Sequence, residues 1–222
     1  MMRWLQSLGP ESRSLNEIHS QFLEMMVDGR HVFDAAANAL LGGTAPEVIR
    51  DDLFATDRRI NRTEQAIRRE IVVHGSIYGA ATFPALLVMM SLVKDAERIG
   101  DYAKNLYGLA AARPPLGGDA ERKAMIDLKD RVSKLIVRAH GLFESQNDSD
   151  ARAFLEEVHQ IEGECDAQVD LGLHARKDNA SARVLAHRYF KRVTSHTGNI
   201  VSSLVVPLDK LDYFDEPRPK GS

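Results

Sequence analysis

Glu97 and Asp101 stand four residues apart in the stretch DAERIGDYAKN, Asp95 to Asn105, with Arg98 and Gly100 between them and Asn105 four residues further on. On a helix, residues four apart project from one face, so these three form a strip of oxygen-bearing side chains. Carboxylates and an amide held side by side suit a hard or intermediate cation such as Mg, Mn or Fe. Gly100 costs a helix about 1 kcal/mol relative to alanine. It also removes a side chain beside the two acids, leaving room for a neighbouring helix or a bound ion. A second strip lies upstream in TDRRINRTEQAI, where Asp57, Asn61 and Glu64 follow at spacings of four and three. If the two helices pack antiparallel, the strips meet along an edge of a bundle. The same spacings also describe an ordinary solvated face, with Asp95, Arg98 and Asp101 as ion pairs three apart. On spacing alone that face carries more weight.

Other chemistry is thinner. Glu156 and His159 form an E-x-x-H, but di-iron carboxylate bundles need that motif twice with two further Glu, and the second copy is missing. His187 and His196 share a helix face without completing a site. There is no G-x-x-x-x-G-K-[ST], no G-x-G-x-x-G after a strand and no G-x-S-x-G. Cys165 falls within an amphipathic helix, as a buried or half-buried small residue, and nothing joins a nucleophile to a base. These absences weigh against a carboxylate-bridged metalloenzyme.

The elements that must position the strips are helices. Around Asp95 the apolar or small residues Leu92, Ala96, Ile99, Ala103, Leu106 and Ala110 recur at alternating spacings of four and three, a bundle seam. The acid strip lies mostly away from that seam and is expected to face outward from its own bundle. Breaks fall at Gly42-Gly43, at ARPPLGGDAE, at SQNDSDA and at KDNASA. Thr44 with Glu47 reads as a capping box, and Asp119 as an N-cap. The spacing predicts six helices, roughly 12–41, 45–73, 79–112, 119–144, 149–175 and 181–210. The fold class is therefore all-α, with six long antiparallel helices forming two tandem three-helix bundles.

A weak internal repeat fits that division. Shifted by 94 residues, AERIGDYAKNL lies on FKRVTSHTGNI, so Arg98 falls on Arg192 and Asn105 on Asn199. The expected organisation is a first repeat over 12–112, a second with a degenerate motif over 119–211, and a flexible tail over 212–222.

The chain has 222 residues, a net charge of -3 and a single cysteine. Near-balanced charge gives no footprint for nucleic acid. One cysteine excludes an internal disulfide and fits a reducing compartment. The longest apolar run, FPALLVMM, falls far short of the roughly 20 residues that span a bilayer. A cytoplasmic protein follows, not inserted in a membrane but free to act at its inner face.

The stretch ERIGD followed by Asn105 resembles the signature of the PhoU family, an E(D)-x-x-x-D motif in each of two three-helix repeats. DRRINRTEQAI, Asp57 to Ile67, is similar to that family's second-helix pattern. The likeness extends from about Glu17 to Leu211. It implies a regulatory adapter of phosphate uptake and phosphate-starvation signalling, docked to a phosphate transporter component or a membrane sensor histidine kinase and often a homodimer. It also implies iron, zinc, magnesium or manganese at the motif acids. Here that means Glu97 and Asp101 with Asp57, Asn61 and Glu64 beside them, while Arg98, Gly100, Asn105, Arg192 and Asn199 are motif residues. The second repeat departs from the pattern, having Lys191 and Ser195 where the first has Glu97 and Asp101. A lysine repels a cation, so any metal is expected on the first repeat alone. Glu162 and Asp166 match the pattern poorly. A helical scaffold for another transporter, with no metal, is the alternative.

Overall fold

The computed structural model describes residues 12–79, 82–114, 116–146, 148–174 and 180–213. Among these there are six α-helices and no strand: α1 (Ser12–Leu40), α2 (Pro46–Tyr78), α3 (Phe83–Ala111), α4 (Asp119–Ser145), α5 (Ala151–His174) and α6 (Ser181–Ser202), closed by a 3₁₀ turn at Leu208–Tyr213. α1, α2 and α3 pack on one another, and α6 packs on α4 and α5. The two triples meet along α3 against α6 and α1 against α4. α2 and α5 are thus the outer helices, and α1, α3, α4 and α6 make the middle.

The expected seam on α3 is the buried one. Leu92, Ala96, Ile99, Ala103, Leu106 and Ala110 are all buried and belong to one continuous apolar core drawn from all six helices. The core does not divide at the triples. Phe22 of α1 lies 4.8 Å from Phe143 of α4, and Phe33 of α1 meets Phe190 of α6 edge-on at 5.9 Å. All four rings are fully buried, so the apolar core runs unbroken from one half to the other.

Helix ends differ from the sequence expectation in several places: α2 runs past its expected end to Tyr78, α3 starts later, at Phe83, and three further differences have a local cause. Thr44 forms no capping box: Ala45 is the N-cap of α2 with an extended backbone and no side-chain bond, and Pro46 opens the helix. Proline is preorganised for that first position and lacks the N–H a cap would satisfy. Asp119 is the first residue of α4 rather than its cap; Gly118 holds the cap position, and its N–H donates to Glu121 Oε2 at 3.1 Å. α6 stops at Ser202, eight residues short of the expected end, and Pro207, which offers no N–H, bars the continuation expected to 210. The chain then folds back, with Leu211 buried and its carbonyl accepting from Ser202 Oγ at 2.9 Å. The expected flexible tail lies, from residue 214, outside the described residues.

Two consequences are measurable. Phe190→Ala should cost about 3–5 kcal/mol, and both halves should still unfold in one urea transition by circular dichroism, since they share a core. Separate transitions for the two halves would contradict this. The second concerns His19 and His187. Burial lowers both histidines below their usual value, against the bond of each to a backbone carbonyl (Phe143 and Arg183); for His19, Glu144 opposes the shift and His140 adds to it, and for His187 Arg183 adds to it. Unfolded histidine therefore binds the proton first, so their contribution to stability is whole above about pH 6.5 and is lost as pH falls through it. The melting temperature should drop from pH 7.5 to pH 5.5, and His19→Gln with His187→Gln should shrink that drop.

Candidate functional site

The two polar strips do meet. α2 and α3 approach closely because Gly100 has no side chain: a Cβ there would stand 3.2 Å from Ile60 Cδ1 and 3.9 Å from Asp57 Oδ1. Of the two uses the glycine could have, the structure displays close helix approach. Asp57 and Glu64 of α2 and Glu97 of α3 are consequently buried, and Asp101 is half-buried. The strip was expected to face outward from its bundle; instead it lines the groove between α2 and α3, because α2 leans over it. Asn61 joins through its amide, which donates to Asp57 Oδ2 at 3.4 Å, whereas Asn105 is exposed and stands outside the groove.

Two lysines of α3 close the groove from each end. Lys104 Nζ lies 2.9 Å from both Asp57 Oδ1 and Asp101 Oδ1. Lys94 Nζ lies 2.7 Å from Glu97 Oε2 and 4.0 Å from Glu64 Oε1. Arg68 adds a contact of 2.9 Å to Glu64, and Arg98 one of 3.4 Å to Asp101. Each lysine therefore bridges one acid from each helix. Burial pushes the Glu97 carboxyl above the usual carboxylate range, against the pull of Lys94. Burial acts the same way on Asp101, but Lys104, a hydrogen bond from Glu97 and the charge of Arg98 outweigh it and hold that carboxyl low. Burial likewise pulls the Lys104 ammonium down, and its bonds to Asp101 and Asp57 more than restore it.

As it stands, this donor set does not suit a resident metal ion. The positions between the acids hold ammonium groups, and among the described residues no three His, Cys, Asp or Glu are arranged to share a cation.

The second repeat handles the corresponding edge with different residues. Lys191, in the place of Glu97, pairs with Asp166 of α5, and Ser195, in the place of Asp101, donates to Glu162. Glu162 and Asp166, poor matches by motif, are thus the α5 half of this edge. Arg192 does not repeat the ion pair of Arg98: its Nε donates to Tyr102 Oη at 3.1 Å. Asn199 donates to Asp95 Oδ1 at 3.0 Å, and His196 Nδ1 meets the same oxygen at 2.8 Å. Asp95 is the polar residue that sequence reasoning undervalued. It is buried where α3 crosses α6, and it ties the two triples together. One signal was available: the shift of 94 places Tyr102 on His196, and these two rings stack on each other, 5.7 Å apart.

The remaining candidates disperse. Glu156 is exposed, and His159 lies 3.5 Å from Glu162. His187 turns to the Arg183 carbonyl, away from the bonds His196 makes. Cys165 is fully buried, and burial pushes its thiol up to about 12, which keeps it protonated and inert.

Fold and edge together define an all-α protein of two helical triples, one of which carries an acid-and-lysine groove between its outer helix and the middle layer. Residues 22–109, which span the triple that holds ERIGD, match the family model of the PhoU domain. It is similar in structure to PhoU from Pseudomonas aeruginosa, with a TM-score of 0.76 and 19% identity over 89% of this chain and 96% of that one. It is also similar to the phosphate transport system regulatory protein PhoU from Streptococcus pneumoniae, with a TM-score of 0.71 and 18% identity over 90% and 95% of the respective chains. No curated protein matches the chain in sequence. The PhoU resemblance drawn from the motifs holds, and so does the all-α fold.

The bridging role of Lys104 can be measured. Lys104→Met should cost about 1–2 kcal/mol in urea unfolding, the range of a hydrogen bond to a charged group reduced for partial exposure. The loss should largely vanish when Asp57→Asn and Asp101→Asn are already present. Additive losses would mean that the three side chains act separately.

Proposed function

We propose that this chain is a regulatory adapter of phosphate uptake and phosphate-starvation signalling, working at the inner face of the membrane on a phosphate transporter component or a membrane sensor histidine kinase. The observation that carries the proposal is the PhoU-domain match on the motif-bearing triple, residues 22–109. The likeness in fold to a phosphate transport system regulatory protein supports it. No helix among the described residues is long and apolar enough to cross a membrane, so association with a transporter would be by docking. The adapter performs no catalytic step of its own and acts as a homodimer in the cytoplasm.

A second reading rests on the lysine at the degenerate motif. Lys191 and Ser195 give the second triple a different edge from the first. The partner would then belong to another kind of transporter, with the chain serving as its helical scaffold.

The decisive experiment is deletion of the gene with a phosphate-repressed reporter, paired with capture of the tagged full chain at high and low phosphate. The adapter reading expects reporter expression in high phosphate after deletion, and transporter or kinase subunits enriched in the capture. A reporter still repressed by phosphate, with a different transporter captured, would transfer support to the scaffold.

A further inference from the structure

We propose that Lys94 and Lys104 are the resident cations of the α2–α3 groove, holding the places between its carboxylates that a divalent metal would take. The proposal concerns this groove alone and does not rest on the regulatory reading. The two lysines flank the motif on α3, one three residues before Glu97 and the other three after Asp101, so the helix delivers both onto the acid stripe. Lys104 sits at equal distance, 2.9 Å, from an acid of each helix, as a bridging cation would. The groove is balanced in formal charge: Asp57, Glu64, Glu97 and Asp101 face Lys94, Lys104, Arg68 and Arg98. A metal drawing those oxygens in to about 2.0–2.6 Å would have to expel ammonium groups that are covalently tethered beside it.

The second triple supplies an independent case. There Lys191 stands at the position of Glu97 itself and meets Asp166 across the same kind of helix pair. Both edges therefore neutralise their outer-helix acids with a lysine from the inner helix, by different residues. A fold that needed a metal on either edge would have to keep the gap between carboxylates open; here both gaps are filled from within the chain.

Manganese(II) is a suitable probe, titrated calorimetrically into the full-length chain stripped of metal. The unaltered protein should bind it weakly. Lys94→Met with Lys104→Met should bind it at least about tenfold tighter, and the gain should disappear when Asp57→Asn and Asp101→Asn are added. Equal affinity of the unaltered and double-lysine chains would overturn the proposal. So would iron, zinc or manganese purifying with the unaltered chain and lost in Glu97→Ala with Asp101→Ala. Should the double-lysine variant not fold, acetylation of the unaltered chain read by mass spectrometry decides. The acetylation rates of Lys94 and Lys104 should be the same with and without manganese(II), and acceleration by the metal would show that it displaces them.

Discussion

A buried carboxylate must be paired, and Asp95 is buried where α3 crosses α6. Its pairing with His196 and Asn199 fixes how the two triples sit, since those partners are on the opposite half of the chain. Once α3 is fixed there, its three stripes are assigned. Leu92, Ala96, Ile99, Ala103, Leu106 and Ala110 face the core; Asp95 and Tyr102 face α6; Lys94, Glu97, Asp101 and Lys104 face α2. The 3.6-residue period separates these stripes around one helix. A single helix therefore serves the core, the joint between halves and the polar groove at once. The groove cannot shift independently of the joint, because both are set by the rotation of α3 about its own axis.

The two triples show how far corresponding helix pairs differ in their edge residues while keeping the same kind of packing. In the first, four acids and four bases share the edge, and Gly100 lets α2 close over them. In the second, a lysine replaces one acid and a serine the other, so Asp166 and Glu162 find direct partners. What both retain is an outer-helix acid met by an inner-helix base. Substitution of Tyr102 by His196 at the repeat position likewise keeps a ring at the crossing, where the two rings stack. The apolar seam is more tolerant: Thr197 lies buried where Ala103 stands in the first triple, and its hydroxyl donates to the Val193 carbonyl at 2.8 Å.

Much of the fold was legible because helical period and glycine-proline breaks are local signals. Gly42, with φ +88, ends the turn after α1 at a backbone shape that costs glycine little. The caps misread at Thr44 and Asp119 each lost to an immediate neighbour, Ala45 and Gly118; at Ala45 the proline that follows sets where the helix opens. In the groove, the positions of Asp57, Asn61, Glu64, Glu97 and Asp101 on shared stripes were legible, since four-residue spacing guarantees that much. Their burial was not. A stripe's angle to its own seam says nothing of how far the next helix leans across it, and that lean depends on Gly100 meeting Ile60. The roles of Lys94 and Lys104 were hidden for a similar reason: each needs a partner on another helix. Asp95 was least legible of all, with partners on the far half of the chain.

A tethered lysine and a bound metal solve the same electrostatic problem on different terms. A metal brings two charges but depends on its supply and on fully ionised ligands. An ammonium brings one charge that is always present, at the cost of ordering a long side chain. One charge set between two carboxylates leaves a remainder. Here Arg68 and Arg98 cover it, through their contacts with Glu64 and Asp101. The surface that α2 and α3 offer a partner is then nearly neutral and rich in paired donors and acceptors. Such a surface favours recognition by shape and hydrogen bonding over long-range attraction. Its character would hold steady whatever the metal content of the surroundings.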